Sequence, residues 1–112
     1  MADVFRIGNL AVSRGEVKRG AIEAGVDMAG SPRQTPIIVV HGAQDGPRLW
    51  LNGATHGDEP EGPLSIFWAL QQVDPQKLRG TIVAVPAMNV PGFTAGTRGD
   101  PLDTFSYDMN RV

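Results

Sequence analysis

The sequence predicts an α/β protein in which a βαβ unit is set in a mixed sheet and follows a β-rich lead-in. Three observations carry this prediction. The runs Ile37–His41 and Arg48–Asn52 are short and apolar, Pro60–Val73 switches to helix formers behind a proline, and Thr81–Val85 is again short, continuous and β-branched. Strand, helix and strand in this order make a right-handed crossover.

The lead-in spans residues 1–35 and the α/β part residues 36–112. In the lead-in, Val4–Ile7 and Val17–Val26 are β-like and are broken by glycines; "MAGSPRQ" reads as a loop. Asp45-Gly46 within "GAQDGP" is a turn signal, so Ile37–His41 and Arg48–Asn52 are expected to form a hairpin. Pro60 suits the first helical position, and Glu59 and Glu61 suit the positive end of the helix dipole. Leu64, Ile66, Phe67, Trp68, Ala69, Leu70 and Val73 occupy most of the helix circumference, which predicts a helix buried on all sides. The helix should stop at Asp74-Pro75. After Pro86 the chain shows no periodicity, and a segment of that length in a compact domain is usually functional or disordered.

A length of 112 residues fits one domain. Apolar content of 41% beside 20% charge is that of a globular chain, and 14 glycines with 9 prolines indicate frequent turns between apolar runs. The formal charge of −2, with basic residues scattered along the chain, excludes a nucleic-acid footprint, and Arg14, Lys18 and Arg19 read as a solvated strand face. No apolar stretch approaches the roughly 20 residues that span a bilayer, and the first residues lack the pattern of a signal peptide. A cytoplasmic location with no membrane partner is therefore expected. There is no cysteine, so a bound transition metal would need histidine and carboxylate ligands.

That restriction directs attention to "THGDEPEGP", which contains one of the two histidines. It follows a predicted strand and opens a predicted helix, the position where α/β folds bind ligands. His56 in the loop and Glu59 three residues later could turn toward one point and hold a Zn²⁺ through an imidazole nitrogen and a carboxylate oxygen. The spacing alone arises by chance in about one chain in ten of this composition. A second reading makes Glu59 a helix-start charge and His56 a hydrogen-bonded loop residue. Asp58 either orients His56 or caps the helix. His41, at the far end of the predicted hairpin and about 20–25 Å from His56 at strand rise, reads as structural. Trp50 and Trp68 read as core or interface residues. Asp100, Asp103 and Asp108 read as turn formers, with a pairing to arginine open for one of them. For Tyr107, substrate contact and loop packing both remain open.

Taken together, "GPRLWLNGATHGDEPEGP", "RGTIVAVPAMNVPGF", "AGTRGDPLD" and "DMNRV" resemble the amino-terminal portion of the succinylglutamate desuccinylase/aspartoacylase family, a branch of the zinc carboxypeptidase-like hydrolases. The resemblance implies the zinc-carboxypeptidase-like fold, here an incomplete amino-terminal part. It also implies a Zn²⁺ cofactor with His56 and Glu59 as the first two metal ligands. Arg98 resembles an arginine that polarises the scissile carbonyl and stabilises its oxyanion, and Asn110 with Arg111 resembles the pair that holds the substrate carboxylate. Met109 stands where the family usually has leucine. In the family the motif runs on from Asn-Arg through one residue to Phe-Pro-Gly, and a third ligand and a general-base glutamate lie further along; the 112 residues contain no match to these. The chain alone is therefore expected to be inactive.

The implied activity is zinc-dependent hydrolysis of the amide bond of an N-acyl amino acid or similar small carboxylate. Two alternatives stand beside it: a carboxypeptidase-like peptide amide hydrolase, and a non-catalytic binding or structural module that lacks a complete site. Exposed strand edges leave self-association into a homo-oligomer open.

Overall fold

The computed structural model describes residues 3–101 and 109. The lead-in begins with a hairpin of β1 (Val4–Ile7) and β2 (Leu10–Ser13), turned at Gly8-Asn9. It continues into β3 (Glu16–Val26), which pairs antiparallel with β4 (Pro32–His41). Two further strands, β5 (Gln44–Asn52) and β6 (Arg79–Val85), are joined by α1 (Glu61–Gln71). The four longer strands form one sheet in the order β3-β4-β6-β5, in which β5 and β6 are parallel neighbours and β4 runs antiparallel to β6. The expected βαβ unit is thus present in a mixed sheet, and α1 begins one residue after Pro60, its N-cap.

The expected hairpin between the runs around Asp45-Gly46 does not form. Strand β6 inserts between β4 and β5, and β4 instead makes its hairpin with β3. The connection must therefore pass over the start of β6, and it does so by backbone-to-backbone contact. A Cβ on Gly42 would lie 2.3 Å from the Leu78 carbonyl oxygen, and one on Gly46 would lie 2.6 Å from the Arg79 carbonyl carbon. Gly80 is tighter still: its φ is +107 and a Cβ would stand 2.1 Å from the Pro47 carbonyl oxygen. The Asp-Gly signal reflected this need for close approach rather than a two-residue turn. Gly80→Ala is expected to destabilise the fold by about 3 kcal/mol, the sum of a disfavoured φ and overpacking against backbone. Thermal or denaturant unfolding measures this; a loss below about 1 kcal/mol would show that the crossing does not depend on the contact.

Each face of the sheet has its own apolar cluster. On one face Ile37, Val39, Val83 and Val85 pack with Val12, and Phe5, Ile7 and Leu10 of the β1–β2 hairpin lean on them. On the other face Ile38 and Ala84 meet Ile66 of α1, with Leu51, Phe67 and Leu70 around them. Alternation along β4 and β6 assigns these residues to opposite faces, so the continuous apolar runs reflect strands covered on both sides. Helix α1 is not buried on all sides: Pro63 and Ile66 are buried, whereas Leu64 is 66% and Trp68 71% exposed. Trp50 and Leu49 of β5, an edge strand among the described residues, are also about half exposed. The apolar circumference of α1 therefore exceeds what this sheet covers. No helix among the described residues is long and apolar enough to cross a membrane.

The segment after Pro86 contains a short helix, α2 (Val90–Ala95), where no period was expected. Asn89 caps its start, Pro91 lies in its first turn, and Gly96 ends it in the left-handed conformation. All three are ordinary helix-boundary residues, but six residues are too few to show a 3.6-residue period.

Candidate functional site

Strand β5 ends at Asn52, and the following loop is pinned against the chain that leaves β6. The Gly53 amide donates to the Val85 carbonyl at 3.1 Å, and the Met88 and Asn89 amides donate to the Gly53 and Ala54 carbonyls at 2.9 and 3.0 Å. Ala54 is buried at φ 47, a left-handed conformation that costs a side-chain-bearing residue roughly 1–2 kcal/mol. Holding this conformation turns the chain sharply away from the sheet. Two residues later it reaches His56, at the carboxyl end of β5.

Here the structure brings together the first two residues singled out by the sequence. His56 Nδ1 lies 2.7 Å from Glu59 Oε2. The histidine side chain is largely enclosed, whereas the glutamate is more than half exposed, so the pair opens toward solvent from the glutamate side. The Glu59 amide faces the His56 carbonyl at 3.3 Å, closing a turn that directs both side chains to one point. These two could share a cation, since an imidazole nitrogen and a carboxylate oxygen are donors that zinc accepts. No group of three or more such donors converges among the described residues. Helix α1 has no side-chain cap, so the capping role considered for Asp58 is not realised.

Arg98 is carried to the same place by its backbone. The Gly57 amide, next to His56, donates to the Arg98 carbonyl at 2.9 Å. Gly57 is buried so closely that a Cβ there would lie 2.1 Å from the Gly92 carbonyl carbon and 2.3 Å from the Thr97 carbonyl oxygen. Asn89 makes the other connection. It is 6% exposed, its Oδ1 accepts from the Gly92 amide at 3.1 Å, and its Nδ2 donates to the Thr55 carbonyl at 3.3 Å. One side chain thus caps α2 and holds the residue before His56. Sequence reading passed over Asn89, although an asparagine two residues before a proline is a helix-start signal.

Of the other residues singled out, His41 lies apart from this cluster. His41 is 4% exposed and its Nδ1 lies 2.8 Å from Thr81 Oγ1. Its row across the sheet, His41–Thr81–Arg48, passes near the amino end of β6 and through the middle of β5, whereas His56 follows the carboxyl end of β5. Its Nε2 has no hydrogen-bond partner among the described residues. Asp100 pairs with Arg33 at 3.1 Å. Asn110 and Arg111, together with Asp103, Tyr107 and Asp108, lie outside the described residues.

A mixed sheet with a polar histidine–glutamate pair at a strand-to-helix switch defines a class of α/β proteins whose ligand site lies at the carboxyl ends of parallel strands. The succinylglutamate desuccinylase/aspartoacylase catalytic domain matches residues 45–112, more than half of the chain, and the chain belongs to that family. Its fold is the zinc-carboxypeptidase-like fold of the family's solved members. A crystal structure of a succinylglutamate desuccinylase/aspartoacylase from Rhodobacter sphaeroides superposes with a TM-score of 0.72 at 31% identity, over 85% of this chain and 30% of that one. The product-bound ectoine utilization protein EutE (DoeB) from Ruegeria pomeroyi superposes with a TM-score of 0.70 at 30% identity, over 91% of this chain and 31% of that one. In sequence, the N-alpha-acetyl-L-2,4-diaminobutyric acid deacetylase of Halomonas elongata is 37% identical over 68 residues, which are 61% of this chain and 20% of the relative. The chain thus spans about a fifth of that curated relative and under a third of the two solved structures.

Proposed function

We propose that the protein carrying this chain is a zinc-dependent deacylase that hydrolyses the amide bond of an N-acyl amino acid or a closely related small carboxylate. The observation that carries this reading is the convergence, at one strand-to-helix switch, of His56, Glu59 and the backbone of Arg98. Membership of the family and the similarity to an N-acetylated diaminobutyrate deacetylase support amide hydrolysis and a small acylated substrate.

In this reading His56 and Glu59 hold Zn²⁺ as two of the three protein ligands that a catalytic zinc takes. Zinc in such a site lowers the pKa of water toward neutrality and polarises a carbonyl. The remaining chemistry falls to the chain's own residues. Glu59, hydrogen-bonded to Nδ1, fixes the orientation of the imidazole in the absence of metal, so little side-chain freedom is lost on binding. Arg98 supplies a permanent positive charge for the oxyanion that develops at the scissile carbonyl, a role that demands a fixed position. The hydrogen bond from the Gly57 amide to the Arg98 carbonyl, which holds the Arg98 backbone beside His56, supports this reading. Asn110 and Arg111 grip the substrate carboxylate, the arginine through a two-pronged contact.

The test is Arg98→Ala in the full-length protein loaded with zinc. kcat is expected to fall about 10²–10³-fold, the usual loss when one oxyanion donor is removed, with metal content unchanged. Parallel loss of metal and activity would assign Arg98 to structure instead.

A further inference from the structure

The lead-in also contributes to the neighbourhood of the proposed site. Strand β4 pairs with β6 only over Ile38–His41, while its pairing with β3 runs on to Val26 opposite Pro32. Residues 32–36 and their β3 partners therefore form a two-stranded ribbon that projects past the carboxyl ends of β6 and β5. That is the end from which His56 and Glu59 emerge. The ribbon and α2 line a common cleft, with Arg33 and Thr35 on one wall, Pro91 and Thr94 on the other, and Met109, the residue before Asn110, alongside them.

From the wall of this cleft, Arg33 Nη1 donates to Asp100 Oδ2 at 3.1 Å, joining residues 67 apart in sequence. Both side chains are partly buried. Asp100 is two residues beyond Arg98, in a loop whose two glycines, Gly96 and Gly99, lie on either side of the arginine. Gly96 is at φ 71, with open space where a Cβ would lie and its amide bonded to the last turn of α2. Among the contacts of this loop are the Thr97 amide to the Gly92 carbonyl at 2.9 Å, the Thr97 hydroxyl to the Gly99 carbonyl at 2.7 Å, the Arg98 carbonyl to the Gly57 amide, and Asp100 to Arg33. The Asp100–Arg33 pair acts beyond Arg98 and ties the loop to the lead-in.

We propose that Arg33 is a positioning residue for Arg98, holding the glycine-flanked loop in register with the His56–Glu59 pair through Asp100. The inference rests on the role proposed for Arg98. A partly exposed ion pair contributes little to global stability. Its effect is expected in the chemical step, where a guanidinium displaced by about 1 Å can lose up to about a hundredfold in rate. The contact is a single Nη1–Oδ2 bond, so a lysine can replace it.

The experiment uses the full-length, zinc-loaded protein and compares Arg33→Ala, Arg33→Lys, Asp100→Ala and Arg98→Ala, alone and in combination. Arg33→Ala and Asp100→Ala are each expected to lower kcat about tenfold, with KM within about twofold and zinc content unchanged. Their double variant should be no worse than either single one, and Arg33→Lys should recover most of the loss. In the Arg98→Ala background, Arg33→Ala should cost nothing further in kcat. An unchanged kcat in Arg33→Ala, or an additional loss in the Arg98→Ala background as large as in the wild type, overturns the proposal. If Arg98→Ala lowers kcat and Arg33→Ala does not, only the positioning role fails; if Arg98→Ala leaves kcat intact, the functional reading fails with it.

Discussion

Replacing His56 by alanine in the full-length protein is expected to remove stoichiometric zinc and to lower kcat/KM by at least about a thousandfold. The estimate follows from the proposed role. Loss of an outer residue that only orients a metal ligand typically costs 10–100-fold, and a ligand itself must cost more because two protein donors cannot close a catalytic zinc site. Glu59→Gln provides the companion measurement. It keeps size and hydrogen-bonding capacity but removes the anionic oxygen, so zinc affinity should drop while the hydrogen bond to Nδ1 can persist. His41→Leu separates the two histidines: His41 lies in register with Thr81 near the amino end of β6, away from the carboxyl end of β5 that His56 follows, and metal content should be unaffected. Full zinc occupancy and activity in His56→Ala, measured by elemental analysis and turnover of an N-acetylated amino acid, would refute the metal role of the pair.

The part of this site that could be read from the sequence is the part set by local chemistry. His56 and Glu59 are three residues apart in a loop that glycine and proline force to turn, so the chain segment itself dictates that they meet. Strands β5 and β6 and helix α1 were recognisable because each has the length and composition of its element, and a strand-helix-strand order admits few arrangements. What escaped depends on contacts between distant segments. The insertion of β6 between β4 and β5 depends on Gly42, Gly46 and Gly80 meeting backbone 33 to 36 residues away, while Asp45-Gly46 carried a stronger and misleading local signal. The pairing of β3 with β4 spans the loop Asp27–Ser31, where Asp27 Oδ1 accepts from the Ala29 and Ser31 amides. That loop was visible in the sequence, but the strand after it begins at Pro32 with polar residues and showed no apolar run before Ile37. The exposure of Leu64 and Trp68 could not be foreseen from the circumference of α1, because burial depends on how much structure is present to cover it. Asn89 stands between these cases. Its capping signal was local and readable, but its link to Thr55 joins two loops and required coordinates.

Gly57→Ala is expected to reduce stability by about 3 kcal/mol and kcat/KM by at least about a hundredfold, although alanine adds one methyl group and removes no functional atom. The reason is geometric. A Cβ at this position would stand 2.1 Å from the Gly92 carbonyl carbon, 2.3 Å from the Thr97 carbonyl oxygen and 2.4 Å from the Phe93 amide nitrogen. All three are backbone atoms, so no side-chain rotation relieves the overlap. The loop bearing His56 must separate from α2, which breaks the hydrogen bond between the Gly57 amide and the Arg98 carbonyl and strains both contacts of Asn89. Those interactions link the proposed metal pair to the proposed oxyanion residue. Gly96→Asn is the control within the same region. Gly96 has a left-handed φ of 71 but open space around it, and asparagine tolerates that conformation, so its stability should stay within about 1 kcal/mol of wild type. Unfolding curves and steady-state kinetics on the two variants separate the effects of crowding from those of backbone conformation. If Gly57→Ala retains wild-type stability and turnover, the close packing of the two loops does not position the site. If it loses turnover while still binding zinc, the packing acts by setting Arg98 against the His56–Glu59 pair.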